Sequence, residues 1–146
     1  DSILGLGADK TFCGGEKFRV IFNYSWDVEQ VKKVMSENSL SPDLTCGISL
    51  ADKQGSYLFG CNGFDAKIPV DFSTGNHATA VYEFRMPVLK AGSYFMTFAI
   101  ALGRQSNHVQ FAWYDYAVEL VSAPAPDVNI YGAMAIPYEM SVNIEV

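Results

Sequence analysis

Residues 93–102 read SYFMTFAIAL, with Tyr94, Met96, Phe98, Ile100 and Leu102 on one side and Phe95, Thr97, Ala99 and Ala101 on the other. A period of two over this length predicts a strand, and apolar character on both sides predicts a central one, covered on each face. Residues 17–24 alternate more sharply, with Phe18, Val20, Phe22 and Tyr24 against Lys17, Arg19, Ile21 and Asn23. In residues 78–86, Ala80, Tyr82, Phe84 and Met86 point inward and Thr79, Val81, Glu83 and Arg85 outward. A strand or strand pair spans 108–121. The last segment sets Met140, Val142, Ile144 and Val146 against Ser141, Asn143 and Glu145.

Between these lie turn signals, Gly14-Gly15 and Asp52-Lys53-Gln54-Gly55 among them. The second predicts a hairpin over 46–61 with Lys53 and Gln54 at its tip, in which Leu50 faces Tyr57, Ile48 faces Phe59 and Cys46 faces Cys61. One helix interrupts the strands. Asp27 is its N-cap, Gln30 takes the capping-box position, and Val28, Val31, Val34 and Met35 share a face. The segment 38–43 ends it, and the helix reads as a crossover plugging one end of the fold. The stretch 122–127, SAPAPD, is the one linker-like piece, stiffened by Pro124 and Pro126. The prediction is an all-β chain, an immunoglobulin-like or jelly-roll β-sandwich with one short crossover helix. It forms a single domain over 1–146, with 127–146 as a C-terminal arm and strand that pairs within its own subunit or with a neighbour.

Composition narrows the function classes. At 49% hydrophobic and 18% charged the chain is globular, and its 146 residues bury one real core. A net charge of -6 leaves no basic stripe for phosphates, which argues against nucleic acid as a partner. No apolar run approaches the roughly 20 residues of a membrane span. The chain begins at Asp1 without Met and so reads as a piece of a longer protein. Three cysteines are too few and odd in number for a disulfide scaffold; Cys13, Cys46 and Cys61 are expected as free thiols in a reducing compartment.

Catalytic and cofactor signatures are missing from the sequence. There is no GxxxxGK[ST] loop, and Gly5-Leu6-Gly7 lacks the third glycine and following helix of a dinucleotide fingerprint. His77 and His108 have no second ligand at metal spacing, and no serine sits in GxSxG. Asp65, Asp71 and Asp115 are loop carboxylates without a recognisable catalytic setting. The expectation is a binding domain with no cofactor, no metal and no catalysis.

Four stretches carry a family resemblance: GGEKFRVIFNY (14–24), CGISLADKQGSYLFGCN (46–62), AVYEFRMPVLKAGSYFMTFAIA (80–101) and YDYAVELV (114–121). The pairing of a D-x-x-G-x-x-x-F-G-x-N hairpin with a later L-x-x-G-x-Y strand start is its most telling part. Together they resemble the C-terminal domain of Wzt-type ATP-binding subunits of bacterial O-antigen ABC transporters. The resemblance implies a sandwich that recognises the nonreducing end of a lipid-linked polysaccharide. It also implies a cytoplasmic place at the inner membrane, beside the subunit's own nucleotide-binding domain and a transmembrane partner. The crossover over 25–44 is longer than the family pattern.

Sugar rings offer apolar C–H faces edged by hydroxyls, so their sites combine an aromatic platform with hydrogen-bonding side chains. Strand periodicity sends Phe18, Phe22, Phe59, Phe84 and Phe98 to the core. The candidates that remain are Trp113 with Tyr114 and Asp115, Trp26 beside Asn23, the outward polar positions Asn62 and Arg85, and Arg104, His108 and Gln110 around the loop before Trp113. The YDYA run serves either the site or the scaffold. A homodimer is expected, and the alternating 140–146 segment with its stiff tether offers exchange of the last strand as one route to it, pairing within the subunit being the other.

Overall fold

A computed structural model describes residues 2–4, 10–68, 70–136 and 138–144. Gly5-Leu6-Gly7, Glu145 and Val146 lie outside the described residues. The order of elements is β1 (Ser2–Leu4), β2 (Thr11–Phe12), β3 (Lys17–Ser25), α1 (Val28–Asn38), β4 (Asp43–Asp52), β5 (Tyr57–Asn62), β6 (Val70–Asp71), β7 (His77–Arg85), β8 (Val88–Leu89), β9 (Gly92–Arg104), β10 (Asn107–Ser122) and β11 (Met134–Ala135).

The strands form the two layers of a β-sandwich. One layer runs β1-β3-β7; the other runs β2-β10-β9-β4-β5, with β6 also on β4; β8 and β11 make a small ribbon. The alternation of β3 is realised residue by residue. Phe18, Val20, Phe22 and Tyr24 are buried and pair against β7 in unbroken antiparallel register from Lys17 opposite Arg85 to Ser25 opposite His77. Across the sandwich the Phe22 ring meets Phe98 at 5.0 Å and Phe84 meets Phe59 edge-on at 5.5 Å. Between these contacts Tyr82 reaches β4, where its hydroxyl donates to the Cys46 carbonyl at 2.9 Å and lies 3.0 Å from the Cys46 sulfur. Burial, and then this thiol contact, keep the Tyr82 hydroxyl protonated far above its usual range.

β9 is central in the order of its sheet, flanked by β10 and β4, but it is not covered on both faces as expected: the other layer covers its inward row, and the small outward residues Ala99 and Ala101 are left lining a surface groove. Its inward row, Tyr94, Met96, Phe98, Ile100 and Leu102, is buried. Helix α1 starts where Asp27 accepts from the backbone N–H of Glu29 and Gln30, and ends at Ser39 in the left-handed conformation. Val31, fully buried, fixes it to the core.

The hairpin register differs from the expected one. Ile48 faces Cys61, Leu50 faces Phe59, and Ala51 faces Tyr57, so Cys46 and Cys61 are not opposite each other. Two local features cause this. The loop holds three residues, closed by Asp52 N–H on the Ser56 carbonyl and by Gly55 at φ 84, with Asp52 Oδ1 also accepting from the N–H of Gln54 and Ser56. Leu58 is then an extra residue in the ladder, a bulge between the Leu50 and Ala51 pairs. The combined slip of two positions preserves which side chains face the core. Cys13, Cys46 and Cys61 are all free, and burial pushes the Cys46 and Cys61 thiols up.

The arm departs from expectation too. After β11 pairs with β8, residues 138–144 carry no strand and no ladder among the described residues, and Met140, Val142 and Ile144 stand 78%, 68% and 87% exposed. The segment 122–127 is tied back instead, through Ala123 N–H to the Phe12 carbonyl at 2.7 Å and Ser122 Oγ to the Leu89 carbonyl at 2.9 Å.

Candidate functional site

The outward row of β9 is built of small residues, Thr97, Ala99, Ala101 and Gly103, and β4 sets Thr45, Gly47 and Ser49 beside it. Gly60 on β5 extends this floor one strand further. A Cβ at Gly47 or Gly60 would meet nothing closer than 3.4 Å, so the backbone does not demand glycine there. The missing side chains leave a groove of about 230 Å³ across the sheet. That is below the roughly 300–1,000 Å³ of ligand pockets, and the site is a shallow surface groove.

Its walls come from the strands on either side. Trp113, opposite Ala99 on β10, projects outward on one flank and is 50% exposed. Phe64, 41% exposed, stands on the other, in a turn closed by Lys67 N–H on the Phe64 carbonyl and by Ile68 N–H on the Gly63 carbonyl. Asn62 borders the groove where β5 ends, and its side chain is fixed by two hydrogen bonds with Asp65, of 2.8 and 3.1 Å. The β9–β10 turn brings Arg104, Gln105 and His108, with His108 Nδ1 3.2 Å from the Gln105 carbonyl. Gly103, at φ 105, makes that turn possible, because a Cβ there would collide with the Asn107 carbonyl.

Trp113 is held in place. Its indole N–H donates to Asp115 Oδ1 at 2.7 Å, and the buried Thr97 hydroxyl donates to the same oxygen at 3.3 Å. An amphipathic ring fixed beside a low floor, with amides, a guanidinium and an imidazole at the rim, can take the apolar face of a sugar and bond its hydroxyls.

Of the candidates read from sequence, Trp113, Asn62, Arg104 and His108 line this groove, with Gln110, and Asp115 braces it. Asn23, Tyr114, Trp26 and Arg85 lie elsewhere. Tyr114 faces the opposite side of β10, opposite Phe98, and enters a separate cleft of about 420 Å³ beside Asn23, Ser25, His77 and Thr79. The Phe22 and Tyr24 rings at that cleft are buried in the core, which leaves Tyr114 and the His77 imidazole as its exposed rings. Trp26 packs on Tyr24 at 5.8 Å and donates to the Phe72 carbonyl at 3.0 Å, a scaffold role. Arg85 lies on β7 of the other layer and donates to the Gly15 carbonyl at 3.0 Å. Asp71 caps the 3-10 turn Phe72–Thr74; bonds from Ser73 lower its pKa. Phe64 and the small-residue floor were missed; the matched runs of small residues at alternate positions of β4 and β9 were the available signal.

Among the described residues no helix is long and apolar enough to cross a membrane, and no group of acidic, His or Cys side chains is placed to hold a metal. Comparison with known proteins agrees with the architecture. No curated protein matches the chain. A crystal structure of the C-terminal domain of wzt is similar, with a TM-score of 0.63 and 18% identity over 91% of this chain and 74% of that one, a likeness that establishes the fold. Residues 7–135 match the Wzt C-terminal domain family, and the chain belongs to that family.

Proposed function

We propose that the outward groove binds a bacterial polysaccharide without turning it over, and does so at the nonreducing end of a lipid-linked O antigen awaiting export. Membership of the Wzt C-terminal domain family gives the chain a part in an O-antigen ABC transporter. The observation that carries the glycan reading is the braced Trp113 ring beside a floor of Gly47, Gly60, Ala99 and Ala101, facing Phe64 across the sheet. Such a site gains from C–H contacts to the rings and from neutral hydrogen bonds, and needs no net positive charge. In this reading the domain works in the cytoplasm at the inner face of the inner membrane, next to its nucleotide-binding domain and the transmembrane subunit.

A homodimer belongs to the same proposal. The exposed Met140, Val142 and Ile144 alternate as a strand does yet have no ladder among the described residues. Two copies that exchanged this segment would cover those side chains and set two grooves in one assembly, adding avidity to a weak site.

Titration of the chain against a panel of purified O polysaccharides tests the reading. Saturable binding to at least one, weakened by Trp113→Ala and without product release, supports it. Silence across the panel rejects it in favour of a protein-interaction sandwich, and release of shorter glycans would make the groove an active site.

A further inference from the structure

One past Trp113, β10 leaves regular pairing. Tyr114 pairs with Phe98 and Val118 with Met96, so Asp115, Tyr116 and Ala117 together stand against Thr97 alone. Simple alternation from Tyr114 would send Tyr116 inward with the core. The additional residues turn it outward instead, at φ 50, a conformation that bulky residues rarely adopt. Its N–H donates to the Thr97 hydroxyl at 3.3 Å, the same hydroxyl that bonds Asp115.

The Tyr116 ring then meets Phe95 of β9 edge-on, 5.3 Å between centres, and its hydroxyl reaches the turn of the β4–β5 hairpin, 3.2 Å from where a Cβ on Gly55 would stand. The side chain therefore lies as a bar across the outward face, from β10 over β9 to the end of β4. The groove stops short of it, at Thr97 and Ser49. Beyond that point Ala51, outward by alternation, is only 2% exposed. One end of the groove is closed.

We propose that Tyr116 is the specificity-determining end stop of the groove, which admits the terminus of a glycan chain and excludes segments that must continue past both ends. The proposal rests on the glycan reading above. A chain bound in its middle has to leave the groove in two directions, and the Tyr116 ring occupies one of them. The ring and not its hydroxyl is the obstacle, so Tyr116→Phe keeps the stop. Tyr116→Asn removes it while retaining a residue that tolerates positive φ, and Tyr116→Gly replaces it should the asparagine variant fail to fold.

Calorimetric titration with size-fractionated, purified O polysaccharides reads the number of protein sites per glycan chain. The wild-type chain and Tyr116→Phe are expected to occupy one site per glycan chain at every length. Tyr116→Asn or Tyr116→Gly is expected to occupy a number that rises in proportion to length. A wild-type stoichiometry that already scales with length overturns the proposal, and so does a folded Asn or Gly variant that remains at one site per chain. Absence of binding by the wild type rejects the glycan reading itself, a result distinct from either. Wild-type binding that Trp113→Ala leaves unchanged moves the site off this groove and ends the proposal as well.

Discussion

The indole nitrogen of Trp113 donates to Asp115 Oδ1 across 2.7 Å, tying the one outward tryptophan to a carboxylate two residues ahead on the same strand. Both partners are exposed, so the bond does little for global stability; it selects one orientation of a ring that water would otherwise let rotate. The Thr97 hydroxyl, buried at 2% exposure, secures the carboxylate from below.

Removing the ring separates binding from folding. Trp113→Ala is expected to weaken glycan binding by about 1 to 3 kcal/mol, as loss of an aromatic anchor does, with a thermal midpoint close to that of the wild type. Asp115→Ala should lose about 1 kcal/mol of binding through the freed indole, whereas Asp115→Asn, which still offers an acceptor, should lose less. Parallel calorimetry and thermal melts of the three variants check this; equal losses for Asn and Ala would make charge, not orientation, the role of Asp115.

The glycines of the outward sheet divide into two kinds. Gly103→Ala should destabilise by about 1 to 3 kcal/mol, since φ 105 and the Asn107 carbonyl both oppose a side chain. Gly47→Ala should change stability by less than about 1 kcal/mol, and Gly47→Leu should block glycan binding while the fold persists. Urea denaturation with binding titrations distinguishes the two; a Gly47→Leu variant that binds normally would remove β4 from the site.

Alkaline pH should unfold the domain through its buried hydroxyls and thiol. Tyr24 is pushed from 10.0 up to about 12, first by burial and then by Cys46; Tyr82 is raised by burial and its hydrogen bond to Cys46; and Cys46 is raised from 9.0 by burial. Each keeps its proton in the folded state at a pH where the unfolded chain gives it up. The stability they confer is complete below about pH 9 and is lost as pH rises from there through about 12. Urea midpoints should fall over that window, and Tyr24→Phe should flatten the upper part of the decline. A midpoint flat to about pH 11 contradicts the assignment.

In the proposed dimer the arm joins the two copies. The full chain should sediment as a dimer, and truncation after Ile136 should give a monomer that retains the sandwich, because 138–144 makes no ladder with the described residues of its own subunit. A full chain that stays monomeric at high concentration removes strand exchange and leaves the groove as it is.

Alternation was enough to place β3, β7 and β9, and Asp27 with its valine face was enough for α1, because in each the hydrophobic period and the local backbone agree. The β4–β5 register was not legible. A three-residue loop and a bulge at Leu58 shift the pairing by two, and a shift of two leaves the inside–outside pattern unchanged. In the site, strand parity could have separated Trp113 from Tyr114, but no periodic signal announces the three residues opposite Thr97 that turn Tyr116 outward. The strict alternation of 140–144 was real as a pattern, but the partner it calls for is not within the described residues of the chain.

The division of labour along β9 has a further consequence. Its inward side chains and its outward ones alternate on one backbone, so the chain can rewrite what the groove accepts without disturbing what keeps it folded. Exchanging Ala99, Ala101, Ser49 or Gly60 for residues of other size and polarity reshapes the floor one side chain at a time. Under the glycan reading proposed above, one scaffold of this kind can diversify across many different glycan ends, much as a fixed key blank accepts many cuts.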